Sequence, residues 1–489
     1  MSLPFFSGSP GALLTPRRKR WLRRACLLLL ALIALLLIFL ELLSRGAAMI
    51  FNHAMEDQDM LRGTITVDRM ISDITGHVYF DNLAWYDPDG NPILTIPSGD
   101  FRVNLWDVLT KNFKSTTIEE LNVNNAAISI HLNDKMQMDF VRPSPDLDRV
   151  RDADDDDWRN KVSLDSLDEE QRRAVGDWRR QKRQQKLQKN WRNFNRAGRR
   201  IRIKLNAHDC RMEVFYRDRH YLMNHVQIAV NGDTDKEMEL ALSIGGFGGT
   251  MIGDAIALNG KVDFTSQPEP TCDTALVLYQ IDPSSLGFGM NIHDKMTLST
   301  YFTGPVSHPI GTGTVHMDQL HIPALYFTNV DGSVYYENSL LSFRDVTANV
   351  YDGDLAAYGD YDLDTRVYHL YGHGTNLDTG IALPKSRLHC RVEMDLAIES
   401  KGSARQTVSS GSFTSGPGQY RRIPFESISG RFTDEYRDLH FYDVAIAFSG
   451  FRVTTDALRI KDNKLILNPI RLTDLTGHTI YTYDPEKGL

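Results

Sequence analysis

From Gly63 onward, apolar and polar residues alternate in short runs broken by Gly, Asp, Asn and Pro. That period of two is the mark of half-buried strands separated by turns. HVYFDNLAWY (77–86), the turn DPDGNP, then ILTIP and DFRVNL make one such series. A short helix is expected at Trp106 to Lys111, after which TIEELNVNNAAISIHL (117–132) resumes the strand pattern. The alternation returns after Arg200 and continues to the end of the chain without another long helical pattern. The pattern predicts a mainly β protein.

The second half repeats itself. GSVYYENSLLSFRDVTANVYDG (332–353) aligns with GRFTDEYRDLHFYDVAIAFSG (430–450) at an offset of about 98 residues with one gap. Gly332 matches Gly430, Leu341 matches Leu439, Phe343 matches Phe441, and Asp345-Val346 match Asp443-Val444. Further on, YDLDTRVYHL (361–370) and LRIKDNKLIL (458–467) both read as strand, polar turn, strand. In each copy the apolar phase jumps by three: Phe343 to Val346, and Phe441 to Val444. A strand period of two cannot absorb such a step without a bulge or bend. The strands are therefore expected to bend at Arg344-Asp345 and Tyr442-Asp443 while keeping their apolar residues on one face. Stacked copies of this unit predict a repeat-built, curved, mainly antiparallel sheet with an apolar groove. Leu341, Phe343, Val346, Val350, Leu439, Phe441, Val444, Ile446 and Phe448 are the expected groove residues. The alternative for the same residues is the closed core of a β-sandwich.

Two segments depart from this pattern. Near the start, a basic cluster (Arg17 to Arg24) precedes an apolar run from Ala25 to Leu40, extended by Leu42 and Leu43. A run of about 20 apolar residues spans a bilayer as a helix. No clear small-residue cleavage site follows, so an uncleaved anchor is favoured over a cleaved signal. The basic flank should stay in the cytoplasm, placing everything after Arg45 on the other side. Between Arg142 and Arg200 the chain turns acidic (DADDDDW, DSLDEE) and then basic (WRRQKRQQKLQKNWRNFNRAGRR). Leu187, Trp191 and Phe194 share one helical face. This insert reads as a solvated linker with a charged helix, as a basic amphipathic helix on an anionic membrane or a partner, or as two blocks that pair with each other. The resulting organisation is a cytoplasmic tail (1–20), a transmembrane anchor (21–44), an N-terminal β region (45–141), a charged, partly helical insert (142–204) and a repeat-built β region (205–489).

The chemical motifs are sparse. The net charge of -8 gives no reason to expect nucleic acid. Cys26, Cys210, Cys272 and Cys390 form no C-x-x-C pair, which argues against zinc, and the last three read as small buried apolar residues. DYDLDT (360–365) opens like a calcium loop, but Tyr371 stands where an EF-hand needs Glu, and the matching segment LRIKDN loses the acids. The histidine pairs 220/225 and 316/321 lack ligand spacing for a strand. No phosphate-binding glycine loop and no nucleophile elbow occurs. No catalytic residue, metal or cofactor is expected.

The stretch 63–132 resembles the opening of the extracytoplasmic part of AsmA-like and TamB-like proteins. Gly63, Ile65, Val67, Gly76, Leu83, Asp89, Gly90, Leu94, Val108, Leu109, Leu121 and Ile128 carry the pattern. Residues 332–378 resemble the repeat of the same families. The insert at 142–200 and the short chain are departures, and the distinct C-terminal domain of TamB-like proteins is missing. The resemblance implies a β-taco-like groove on a single-pass inner-membrane protein whose C-terminal body lies in the periplasm of a bacterium. It further implies a non-enzymatic role: binding phospholipid and passing it toward the outer membrane, in support of outer-membrane biogenesis. The implied partners are membrane lipid, the inner membrane and outer-membrane assembly proteins. A scaffold for an assembly or translocation machine, and a β enzyme acting on polysaccharide, are the competing readings.

Overall fold

The structure is a computed structural model that describes Ala48, Met49, Asn52, and residues 63–104, 118–132, 157–196 and 202–484. Within those ranges, 74, 163, 217, 288–289, 291, 323–324, 385, 403–405, 437 and 462–463 are left out. The expected tail (1–20), anchor (21–44) and helix (106–111) lie outside the described residues. No helix among the described residues is long and apolar enough to cross a membrane.

The chain is mainly β. Twenty-six strands join in one large, curved, mixed sheet, and three short strands (Leu388–His389, Gly418–Tyr420, Ile423–Phe425) form a second. The described strands thus make one main sheet, where a sandwich core would need two facing ones. Its pairings are antiparallel and mostly join strands close in sequence, as hairpin turns dictate. The exception is where Ile118–Asn124 and Ala127–Leu132 pair in parallel with Arg202–Tyr216. A parallel pair needs a long crossover connection. The charged insert is that crossover: the chain leaves the sheet at Leu132 and rejoins it at Arg202.

Curvature comes from bulges in the middle of long strands. The register slips by one residue at Asp209, His225, Gln280, Asn329, Asp345, Asn376 and Asp443. Each of these residues has left-handed backbone, with φ between 50° and 58°. Asn, Asp and His enter that region more readily than other side chains. Each is followed by an apolar residue three positions after the previous inward one. Leu278 and Ile281, Phe327 and Val330, and Phe441 and Val444 are examples. The bulge absorbs the odd residue, so both halves of a strand keep the same face inward, and it raises the local twist.

Buried side chains form two large clusters on the apolar face and a small one of Ile65, Trp85 and Ile93. The first joins Val78, Phe80, Ile96, Val123, Ala207, Val226 and Ile244. Ala48 is buried in it, and the Asn52 side chain pairs with both the N–H (2.8 Å) and the C=O (3.1 Å) of Val67. That contact fills the gap between strands Thr64–Thr66 and Arg69–Ser72. The second cluster joins Val315, Met317, Phe327, Val330, Val334, Ala348, Val350 and Leu377. From 431 to 484 no described residue is buried, although the alternation continues.

The insert contributes a helix, Glu169–Arg196, of 28 residues. It lies along one rim of the sheet, across successive hairpin ends. Arg172 and Val175 are each 1% exposed, and a Cβ on Gly176 would stand 2.5 Å from Thr365 Cγ2. Arg180 reaches Asp362 (3.2 Å) and Asp364 (3.3 Å), and Arg183 reaches Asp364 at 2.6 Å. Gln184 donates to Asn338 at 3.2 Å, and Gln188 to Glu269 at 3.5 Å. Trp191 stacks on Phe264, with ring centroids 5.4 Å apart. A rise of about 1.5 Å per residue takes the helix roughly 29 Å from Arg172 to Trp191. Six strand spacings of about 4.8 Å, from the Phe264 hairpin to the Thr365 hairpin, cover nearly the same distance.

Candidate functional site

The expected groove residues fall on one face of the sheet. The register carries Val346 across to Ala357, Gly372, Leu396, Gly411, Phe432, Phe441, Leu458 and Leu467 in turn. Residues that face each other across a sheet share a face. One row of apolar residues and glycines therefore joins the two aligned copies, and every member is half-buried. With strands about 4.8 Å apart, the row is roughly 38 Å long. Where it passes Gly411, the Phe432 ring takes the space a side chain would fill, with Cε1 2.8 Å from the Cβ position. A second row runs Ile428, Ile446, Val453, Leu472, Tyr481.

The individual positions differ in depth. Val350 is 5% exposed and belongs to the second buried cluster, against which Leu341, Phe343 and Val346 pack as half-buried neighbours. Leu439, Phe441, Val444, Ile446 and Phe448 are half-buried. Phe441 meets Phe413 edge to face at 6.2 Å, and Phe448 stacks on Phe451 at 4.8 Å. The register slips at Phe343/Val346 and opposite Tyr442, where the phase step in the sequence predicts a bend. The other five slips were missed. Their signal was the same: an apolar step of three with a polar residue one place before the second apolar position.

The reverse face is polar. An open groove of about 1180 Å³ lies against this part of the sheet, lined by Tyr358, Tyr371, His373, Asp395, Ser412 and Arg431 and also by Val346, Ala357, Gly372, Leu396 and Gly411 of the apolar row. Arg344 pairs with Asp360 (3.4 Å) and Arg431 with Asp443, His373 hydrogen-bonds Asp395 (2.7 Å), and Asp345 also lines the groove. The hydrogen bond from His373 holds Asp395 below the usual carboxylate range. Burial, with Glu399 nearby, pushes the Tyr371 hydroxyl up.

The acids of DYDLDT have a structural occupant. Asp362 Oδ1 accepts the N–H groups of Asp364 (2.8 Å) and Thr365 (3.0 Å), shaping the hairpin turn. The outer oxygens of Asp362 and Asp364 take the guanidinium groups of Arg180 and Arg183. The insert thus pairs its basic half with acids of the β region. Leu187 is 49% exposed on that helix, and Phe194 lies among the side chains left undescribed. Cys210 and Cys390 are buried and Cys272 is half-buried. Among the described residues no group of three His, Cys, Asp or Glu side chains is placed to hold a metal ion. The chain matches no protein-family model, no curated protein and no solved structure.

Proposed function

We propose that the chain is an envelope protein, anchored in the inner membrane, that binds phospholipid on the apolar face and passes it toward the outer membrane. On this reading it acts without a chemical step and supports outer-membrane biogenesis, in the manner of the AsmA-like and TamB-like proteins that its sequence resembles. The observation that carries the reading is the continuous apolar row from Val346 to Leu467, half-buried throughout. A side chain in that state can still bury area against a ligand. Burying hydrocarbon is worth about 0.8 kcal/mol per CH₂, or roughly 11 kcal/mol for a chain of about fourteen. That cost bars a lipid from open water, and a face that covers the chain lowers it. The row is longer than the roughly 15 Å of one bilayer leaflet, so a bound chain has room to move along it. Of the nine residues named from the sequence, the eight half-buried ones form the groove, with Val346 and Val444 at the centre of each copy, and Val350, 5% exposed, packs behind them.

The test is purification of the full chain in mild detergent followed by lipid mass spectrometry. Phospholipid should co-purify, and V346D together with V444D should strip most of it. A lipid-free wild-type protein, or a double variant with undiminished lipid, would sink the reading.

One observation favours a second reading, a scaffold for an assembly machine. The last strand, Thr479–Tyr483, is exposed along its length and, among the described residues, pairs on one side only. It carries no charge or Pro to discourage pairing, and its register slips only at Ile480, so it can accept a strand from a partner.

A further inference from the structure

The rim helix holds ten Lys and Arg against three acids, and none of the acids follows Asp177. Its docking uses one face: Arg172, Gly176, Arg180, Arg183 and Gln184 turn toward the hairpins. At 100° per residue the opposite face carries Lys182, Lys186, Lys189 and Arg192. The last three are exposed. The helix is therefore fastened by one set of cations; of the second set Lys182 lies over the Trp178 ring, 5.8 Å from its centroid, and Lys186, Lys189 and Arg192 face outward.

The place of this stripe is as telling as its charge. The hairpins under the helix end the strands that carry Leu341, Phe343, Val346 and Ala357. Ala357 lies five residues from Asp362 on one strand, roughly 17 Å at about 3.4 Å per residue. One leaflet of hydrocarbon is about 15 Å deep. A lipid lying along these strands with its tail end at the apolar row would have its headgroup at the helix.

We propose that the outer face of the rim helix holds the headgroups of anionic phospholipids whose chains lie on the apolar face, making the protein selective for anionic over zwitterionic lipid. This rests on the lipid reading above and names its substrate class. The charge match supplies the preference, since each Lys or Arg beside an anionic lipid surface strengthens attraction about fivefold. A zwitterionic headgroup has no net charge to gain from it.

The experiment uses the full chain in non-ionic detergent with two photoreactive phosphatidylglycerols, one carrying the crosslinker on the headgroup and one at the end of the chain. Phosphatidylcholine analogues serve as controls. The headgroup probe should label residues 178–196, and the chain-end probe should label the strands of the apolar row. Phosphatidylglycerol should label the helix at least tenfold more than phosphatidylcholine. K182E, K186E and K189E combined should lower that labelling about a hundredfold, and leave the chain-end probe able to reach the apolar row with phosphatidylcholine. Equal labelling by both lipids, or headgroup crosslinks away from the helix while the chain-end probe still marks the strands, overturns the selectivity and leaves lipid binding intact. No labelling by either probe overturns both. Displacement of the headgroup label by an acidic protein but not by unlabelled phosphatidylglycerol would assign the stripe to a protein partner and also overturn it.

Discussion

Removing one residue, Asp345, should damage the sheet far more than replacing it. Asp345 is exposed, has φ of 50°, and sits where the register slips on both sides of strand Leu340–Val350. Valine at this position buries nothing new but must adopt left-handed backbone, at about 1–2 kcal/mol. Glycine enters that region freely and loses some chain entropy instead, so D345G should fall within about 0.5 kcal/mol of wild type. Deletion is different in kind. With the bulge gone, the strand returns to a strict period of two and one half must turn over. If the second half turns, Ala348 and Val350, 6% and 5% exposed, go to the polar side. Val350 alone is worth about 2 kcal/mol of burial. Thr347 and Asn349, both exposed in the structure, turn inward, and each polar group buried without a partner costs about 1–3 kcal/mol. If the first half turns, Leu341 and Phe343 leave the second buried cluster instead. Either way the loss is roughly 5 kcal/mol, several times that of the valine variant. Hydrogen exchange resolved to strands Leu340–Val350 and Gly353–Asp362, with denaturant unfolding beside it, should rank the variants glycine, valine, deletion. A deletion variant as protected as D345V, or a valine variant as mild as glycine, would refute the argument that the bulge sets the phase.

Three further outcomes are expected. D364A should lower protection across Glu169–Arg196 by about 1.5–3 kcal/mol, because the Asp364 carboxylate, 11% exposed, accepts charge-assisted hydrogen bonds from two arginines; unchanged exchange in the helix would mean that apolar contacts alone hold it. G176A should raise the intrinsic helicity of this segment, since Ala is about 1 kcal/mol better than Gly in a helix, and still loosen its docking, because the new methyl meets Thr365; tighter docking would show that Thr365 yields without cost. The hydrogen bond that His316 donates to Asp331, with Asp318 close by, raises the pKa of His316 above its ordinary value. A group whose folded pKa is raised adds stability below about pH 6.5, its unfolded value, and loses it as pH climbs through the folded pKa. Melting curves at pH 6 and pH 8.5 should therefore show a wild-type advantage over H316Q at the lower pH only, and an equal gap at both would contradict this.

Much of the fold was legible because one physical rule governs it. In a sheet with one apolar face, alternation reports which way each side chain points, and a step of three reports a bulge. The Phe343–Val346 and Phe441–Val444 steps could be read in this way, and the slips stand at Asp345 and Asp443. The role of the insert was not legible, because it depends on register between distant segments. Nothing local to Asp362 or Asp364 says that Arg180 and Arg183, about 180 positions earlier, will meet them. Their loss in the matching copy, where LRIKDN replaces the acids, has a physical reason. Among the described residues the helix contacts run from Phe264 to the hairpins around Thr365 and Gly402. The two copies therefore diverge at the rim and agree on the apolar face. A shared apolar surface accounts for the face, and a local fastening accounts for the rim. That division separates the residues that define the candidate groove, such as Val346 and Val444, from those that fasten the helix, such as Asp364. Substitutions at the two sets should act independently: V444D should leave helix protection unchanged, and D364A should leave the exchange of Asp438–Phe448 unchanged. Coupling between them would mean that the rim helix reshapes the sheet as a whole and is more than a local strap.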